Sequence, residues 1–146
     1  MGQSTGGVKM EINELKKVSE FPLGEENLAF APYFIGKSYL SLLNDQEVGI
    51  YNVTFEPGCR NNWHIHHGAG QILICVGGHG WYQEEGQEPR LLKSGDVVYI
   101  APGLKHWHGA VKDEAFAHLS LTVSTEGVSH EWLEPVTDEV YNKLKI

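Results

Sequence analysis

The chain has 146 residues, enough for one domain that buries a substantial core. Hydrophobic residues make up 41% of it, with four Trp, six Tyr and five Phe, which excludes a disordered chain. The formal net charge is −8, and no Lys/Arg cluster exceeds pairs such as Lys16-Lys17, so no nucleic-acid partner is expected.

In chain order, residues 1–7 read as a flexible lead-in and 8–47 as an N-terminal arm. Gly6 stands where a myristoylation signal needs Ser or Thr, so no lipid anchor is expected. Between Val8 and Ser19, Met10, Ile12, Leu15 and Val18 fit a short amphipathic helix or an extended segment equally well. Phe21-Pro22-Leu23-Gly24 breaks the chain, Phe34–Leu43 leans towards strand, and Asn44-Asp45 makes a turn. From 48 to 123 short strands follow one another: Val48–Phe55, Trp63–His67, Gln71–Val76, Gly80–Glu84, Pro89–Leu92, Asp96–Ile100, Lys105–Gly109 and Phe116–Val123. Gly77-Gly78 reads as the separator between the third and fourth of these. Such spacing with Gly/Pro punctuation predicts an all-β sandwich or small barrel. The remaining 124–146 form a tail in which Thr137 caps a short helix with Val140, Tyr141 and Leu144 on one face. No run approaches membrane-spanning length and no basic-then-apolar leader opens the chain, so no membrane partner and a cytoplasmic location are expected. Cys59 and Cys75 are then reduced thiols, and neither has metal-site spacing.

Two stretches carry the chemistry: Trp63-His-Ile-His-His-Gly-Ala-Gly-Gln71 and, after Gly95-Asp96, the segment that ends in His106-Trp-His108. On a strand, His64 and His66 point to one face, because side chains alternate with period two. Gln71 follows after a Gly-rich turn that returns the next strand alongside, and a third imidazole comes from His106. Three imidazoles and a carbonyl oxygen suit a borderline, nitrogen-preferring divalent ion. An amide is a weak ligand, so the opposite reading of Gln71 is a degraded site. Of the other histidines, His67 faces away from His64 and His66, while His79 in a Gly-rich turn and His130 in the tail read as solvent-exposed. His108 shares the face of His106 and is either an outer partner or an acid/base. His118 has Phe116 and Ser120 on its face, and by itself reads as a satisfied core histidine. Asp96 ties its turn, and the His130-Glu131 pair lacks the second histidine of a zinc-protease helix.

The blocks Gly58-x5-His64-x-His66-x4-Gln71-x6-Gly78 and Gly95-x5-Ala101-x-Gly103-x2-His106 resemble the two signature motifs of the cupin superfamily. Two positions depart from it: Gln71 stands for the usual glutamate, and Ala101 fills the proline slot beside Pro102. A narrower likeness, carried by Trp63-His-x-His, Gly80-Trp-Tyr-Gln-Glu-Glu-Gly, Pro102-Gly-x-Lys-His-Trp-His-Gly-Ala and Trp132-Leu-Glu-Pro-Val, is to manganese-dependent cupin hydroxynitrile lyases. Cupins associated with carboxymuconolactone decarboxylase share it. The resemblance implies a jelly-roll (double-stranded β-helix) barrel with an N-terminal arm and a short C-terminal helix. It implies His64, His66, Gln71 and His106 as ligands of one divalent transition metal per chain. Manganese heads that list, with iron, cobalt, nickel, zinc and copper as alternatives. It implies His118 as general base, with His108 as the second candidate for acid/base work. The expected function is a small-molecule lyase, with a metal-dependent dioxygenase or a non-catalytic binding or sensing cupin as alternatives. A homodimer is expected, because Tyr39–Leu43 has no evident place inside one barrel and suits a neighbour's sheet edge.

Overall fold

The computed structural model describes residues 9–123 and 125–146. The lead-in expected over 1–7 lies outside the described residues. Strand follows strand because β-branched and aromatic residues alternate between short Gly- and Pro-containing turns. They are β1 (Glu25–Glu26), β2 (Phe34–Ile35), β3 (Ser38–Asn44), β4 (Val48–Phe55), β5 (Arg60–Asn61), β6 (His64–His67), β7 (Gln71–Glu84), β8 (Arg90–Lys93), β9 (Val97–Ile100), β10 (His106–Ala110), β11 (Phe116–Val123) and β12 (Ser129–Trp132). Two short helices, α1 (Ile12–Leu15) and α2 (Asp138–Tyr141), flank them. Among the described residues no helix is long and apolar enough to cross a membrane.

The strands form two antiparallel layers joined through β7, in the order β1-β3-β4-β11-β7-β10-β5-β2. The first half of β7 pairs with β11 and β9, and its second half with β10 and β8. Gly77-Gly78 therefore does not separate two strands, as the turn signal implied. The strand runs on through them, bulged at Val76, the extra residue between Cys75 opposite His118 and Gly77 opposite Ala117, and passes from one layer to the other. Gly78 has φ +66, and a Cβ there would meet the Ala115 backbone, so glycine is required. His79 consequently lies in a strand, where it bonds Glu114 at 2.8 Å on the surface.

Val53, Phe55, Leu73, Ile100 and Phe116 form the core between the layers. The arm covers one outer face: Leu15 and Leu23 pack with Tyr39 and Ala115, and Asn52 donates to the Pro22 carbonyl at 2.9 Å. The segment Tyr39–Leu43 does have a place inside its own chain, as the middle of β3 between β1 and β4. The expected homodimer therefore loses the reason given for it. At the other end, Thr137 Oγ1 caps α2 by accepting from Val140 N–H, and Tyr141 donates to the Ala110 carbonyl at 2.6 Å. Fully buried Arg60 ties this tail down, donating to the Val136 carbonyl at 2.7 Å and pairing with Asp138. The tail also contains a strand that the sequence reading had not placed: β12 pairs with β6 in the register His130↔His66 and Trp132↔His64. Cys59 and Cys75 are free and buried.

Candidate metal centre

β6 supplies His64 and His66 to one face by simple alternation, and β10 sets His106 directly across from His64. One nitrogen from each of the three lies within 4.8 Å of the others. The ring centroids are 4.1 Å apart for His64 and His106, 5.2 Å for His64 and His66, and 5.3 Å for His66 and His106. Backbone carbonyls fix two of the tautomers. His64 Nδ1–H donates to the Asn62 carbonyl at 2.9 Å, and His106 Nδ1–H donates to the Leu104 carbonyl at 3.0 Å. Each is thereby left with a bare Nε2 lone pair.

Buried lone pairs without a donor are costly, and this site concentrates them. His66 Nε2, His106 Nε2 and Gln71 Oε1 are all buried and unpartnered. Gln71 Nε2 is satisfied, donating to Ser120 Oγ at 2.6 Å. Oε1 faces His66, whose tautomer no backbone carbonyl fixes, and three imidazole nitrogens with one neutral oxygen fit a first-row divalent ion.

Electrostatics agree with a set of neutral imidazoles. Burial, with repulsion from His106 added, pushes His66 down to about 3, and burial lowers His106 to about 4. Burial holds His64 well below the ordinary range. These rings are unprotonated at neutral pH and need not shed protons to coordinate.

The cluster stands at the wall of a cavity of about 280 Å³. His64, His66, Gln71, His108, His118 and Ser120 line it, with Phe34, Leu40, Val53, Phe55 and Trp132 as the apolar wall, while His106 sits behind, fully buried. Among the described residues its lining includes no Lys, Arg, Asp or Glu. His118, mid-strand on β11, is also fully buried. Its Nδ1–H donates to the Leu119 carbonyl at 3.2 Å and its Nε2 has no partner. Burial lowers it to about 4, so it too is neutral. His108 lies edge-on to His118 at 5.0 Å. Asn61 holds it twice, accepting from its backbone N–H at 2.9 Å and placing Nδ2 at 3.3 Å from the imidazole Nε2.

Among the cavity residues not singled out as site residues are His130, Trp132 and Asn61. His130 was expected to be exposed in the tail; its ring is exposed, yet it lines the cavity and meets His66 edge-on at 4.7 Å. Trp132 lies over His64 at 4.8 Å and stacks on Tyr33 at 4.7 Å. Asn61 belongs to a two-residue strand with no periodicity to read. The alternation of His130 and Trp132 was the available signal for β12. His67 is on the surface as expected, bonding Glu131 at 2.8 Å, and Asp96 ties its turn by accepting from Lys93 N–H at 2.9 Å.

Known proteins place these features in context. Over 92 residues the chain is 47% identical to an (R)-mandelonitrile lyase of Granulicella tundricola, covering 63% of this chain and 70% of that protein. A cupin-like protein of Thermotoga maritima superposes with TM-score 0.78 at 40% identity, covering 85% of this chain and 95% of that one. The DMSP lyase DddQ of Ruegeria pomeroyi shares the fold, with TM-score 0.57 at 22% identity over 82% of this chain and 59% of that one. The cupin-domain family model matches residues 51–122, the stretch that holds both histidine blocks and His118. The chain belongs to the cupin family.

Proposed function

We propose that this cupin is a metal-dependent lyase acting on small hydroxynitriles. It breaks the bond between the hydroxyl-bearing carbon and the nitrile, releasing a carbonyl compound and hydrogen cyanide. The likeness to the mandelonitrile lyase supports the reaction class. One observation on this chain carries the reading: His118, with an unpartnered Nε2, lines the same cavity as His64, His66 and Gln71.

His64, His66 and His106 through imidazole nitrogen, and Gln71 through Oε1, would hold the divalent ion, manganese by the lyase resemblance. When bound, such an ion supplies Lewis acidity that favours alkoxide over hydroxyl. His118 Nε2 takes the substrate hydroxyl proton, while the Leu119 carbonyl holds Nδ1–H and keeps the ring oriented. The same proton then passes to the departing cyanide, so His118 ends the cycle neutral. His108, fixed by Asn61, packs edge-on against His118 and limits its rotation. The apolar wall takes the substituent on the carbonyl carbon and excludes water, and a lining without charged side chains suits a neutral substrate.

Metal analysis of the purified chain beside a His64→Ala/His66→Ala double variant tests the site. Aldehyde release from mandelonitrile by the metal-loaded chain, in air and without oxygen, tests the reaction. Equal release in both atmospheres is the expected outcome. Oxygen-dependent turnover would point to a dioxygenase instead. An inability to take up manganese, nickel or zinc would leave a binding module.

A further inference from the structure

Gln71 is the one position of the ligand set where the side chain can present either of two ends. Its amide oxygen can coordinate a cation, whereas its NH2 end carries only donors and repels one. The strand pairing puts Gln71 opposite Thr122, and its side chain reaches diagonally to Ser120, two residues earlier on β11. There Nε2 donates to Ser120 Oγ at 2.6 Å. Oε1 is left buried without a partner, as is His66 Nε2.

That orientation is informative. Ser120 could equally donate its hydroxyl proton to Oε1 if the amide were turned over, and Nε2–H would then be free for an imidazole lone pair. The orientation present instead sets aside that pairing and turns Oε1 towards His66, beside the bare Nε2 lone pairs of His64 and His106, which is an arrangement a cation completes.

We propose that Ser120 is the positioning residue that makes Gln71 a ligand: its hydroxyl accepts the Nε2 proton and so aims Oε1 at the three imidazoles. The proposal rests on the metal reading above but not on the reaction assigned to it. Coordination polarises the amide and strengthens its N–H as a donor, so this hydrogen bond tightens when Oε1 is engaged. Loss of an outer partner of this kind ordinarily weakens metal binding about 10- to 100-fold. A carboxylate offers an oxygen whichever way it turns, so it has less need of Ser120.

The test is the manganese dissociation constant, measured by chelator competition, for the parent, Ser120→Ala, Ser120→Thr, Gln71→Glu and the Gln71→Glu/Ser120→Ala pair. Thermal unfolding of each metal-free chain verifies folding, and the electron paramagnetic resonance spectrum of bound manganese reports the ligand field. Ser120→Ala is expected to bind about tenfold more weakly or worse, with an altered spectrum. Ser120→Thr, which keeps the hydroxyl, restores both. In the Gln71→Glu background the alanine costs less than about threefold, a non-additivity that a general loosening of β11 would not produce. Unchanged affinity in Ser120→Ala overturns the proposal, as does an equal loss in both backgrounds. A parent chain that binds no manganese, nickel or zinc removes the metal reading itself, and the proposal with it.

Discussion

His118 differs from the other buried histidines in standing apart from the metal cluster while keeping a free nitrogen toward a shared cavity. In the proposed mechanism, His118→Gln removes the base and leaves the candidate ligands in place. Manganese content is expected to stay at the parent level while the turnover number falls about 10²- to 10⁴-fold. Equal losses of metal and activity would instead make His118 a structural residue. The same burial has a consequence for stability. Burial lowers His118 from the ordinary 6.5 to about 4 in the folded chain, so between those values the unfolded chain binds more protons. Stability therefore rises with pH across this window: the contribution is fully present above 6.5 and is lost as pH falls through about 4. The shift corresponds to roughly 3 kcal/mol. Urea midpoints of metal-free protein at pH 7 and pH 4.5 are expected to differ less in His118→Gln than in the parent. A parallel decline in both would remove His118 as a source.

At the scale of elements, β7 and β12 decide where the site sits. β7 reaches both layers by bulging at Val76 and turning at Gly78, which lies in the left-handed region with φ +66 and has backbone at the place of a side chain. Gly78→Ala is expected to cost more than about 2 kcal/mol, from backbone strain together with a clash that no flexible side chain can relieve. Gly103, with φ +84 and nothing near its missing Cβ, isolates the strain alone, so Gly103→Ala is expected to cost about 1 kcal/mol. Denaturant midpoints of the two variants separate these contributions, and equal losses would mean that the Ala115 backbone gives way. These same elements mark the limit of what the sequence could tell. Val48–Phe55 was legible because it is rich in β-branched and aromatic residues and ends at Pro57-Gly58, and Phe116–Val123 because it closes the same series of short strands; the chain pairs them as the neighbours β4 and β11. His64, His66 and His106 were legible because strand alternation and two Gly-rich turns leave few other ways for their rings to meet. β7 was not, since Gly77-Gly78 reads as a turn whether the strand ends or bulges there. Nor was β12, where Ser129, His130 and Glu131 are exposed and only cross-strand pairing with β6 makes a strand. β3 pairs with β4 across the Asn44-Asp45 turn that the sequence does offer, and its other partner, the two-residue β1, has no periodicity to read.

In the whole molecule, segments outside the motif-bearing stretch wall the cavity and cover the outer face of β10. The N-terminal arm and β12 supply Phe30, Phe34, His130 and Trp132 to the cavity, and the Arg60 clamp seats the C-terminal tail against Trp107. Held in this way, the cluster cannot relax by spreading apart. The unpaired His66 Nε2, His106 Nε2 and Gln71 Oε1 are thus a standing cost to the metal-free fold. A cation that satisfies all three binds the folded chain and has no comparable site in the unfolded one. Its free energy of binding is therefore added to folding. At free manganese about 100 times the dissociation constant, the gain is about 2.7 kcal/mol, or several degrees in the thermal midpoint of a domain of this size. Differential scanning calorimetry with and without manganese is expected to show that rise. EDTA should reverse it, and the His64→Ala/His66→Ala variant should not respond. An equal rise in that variant would mean that manganese binds elsewhere, at surface carboxylates of this acidic chain.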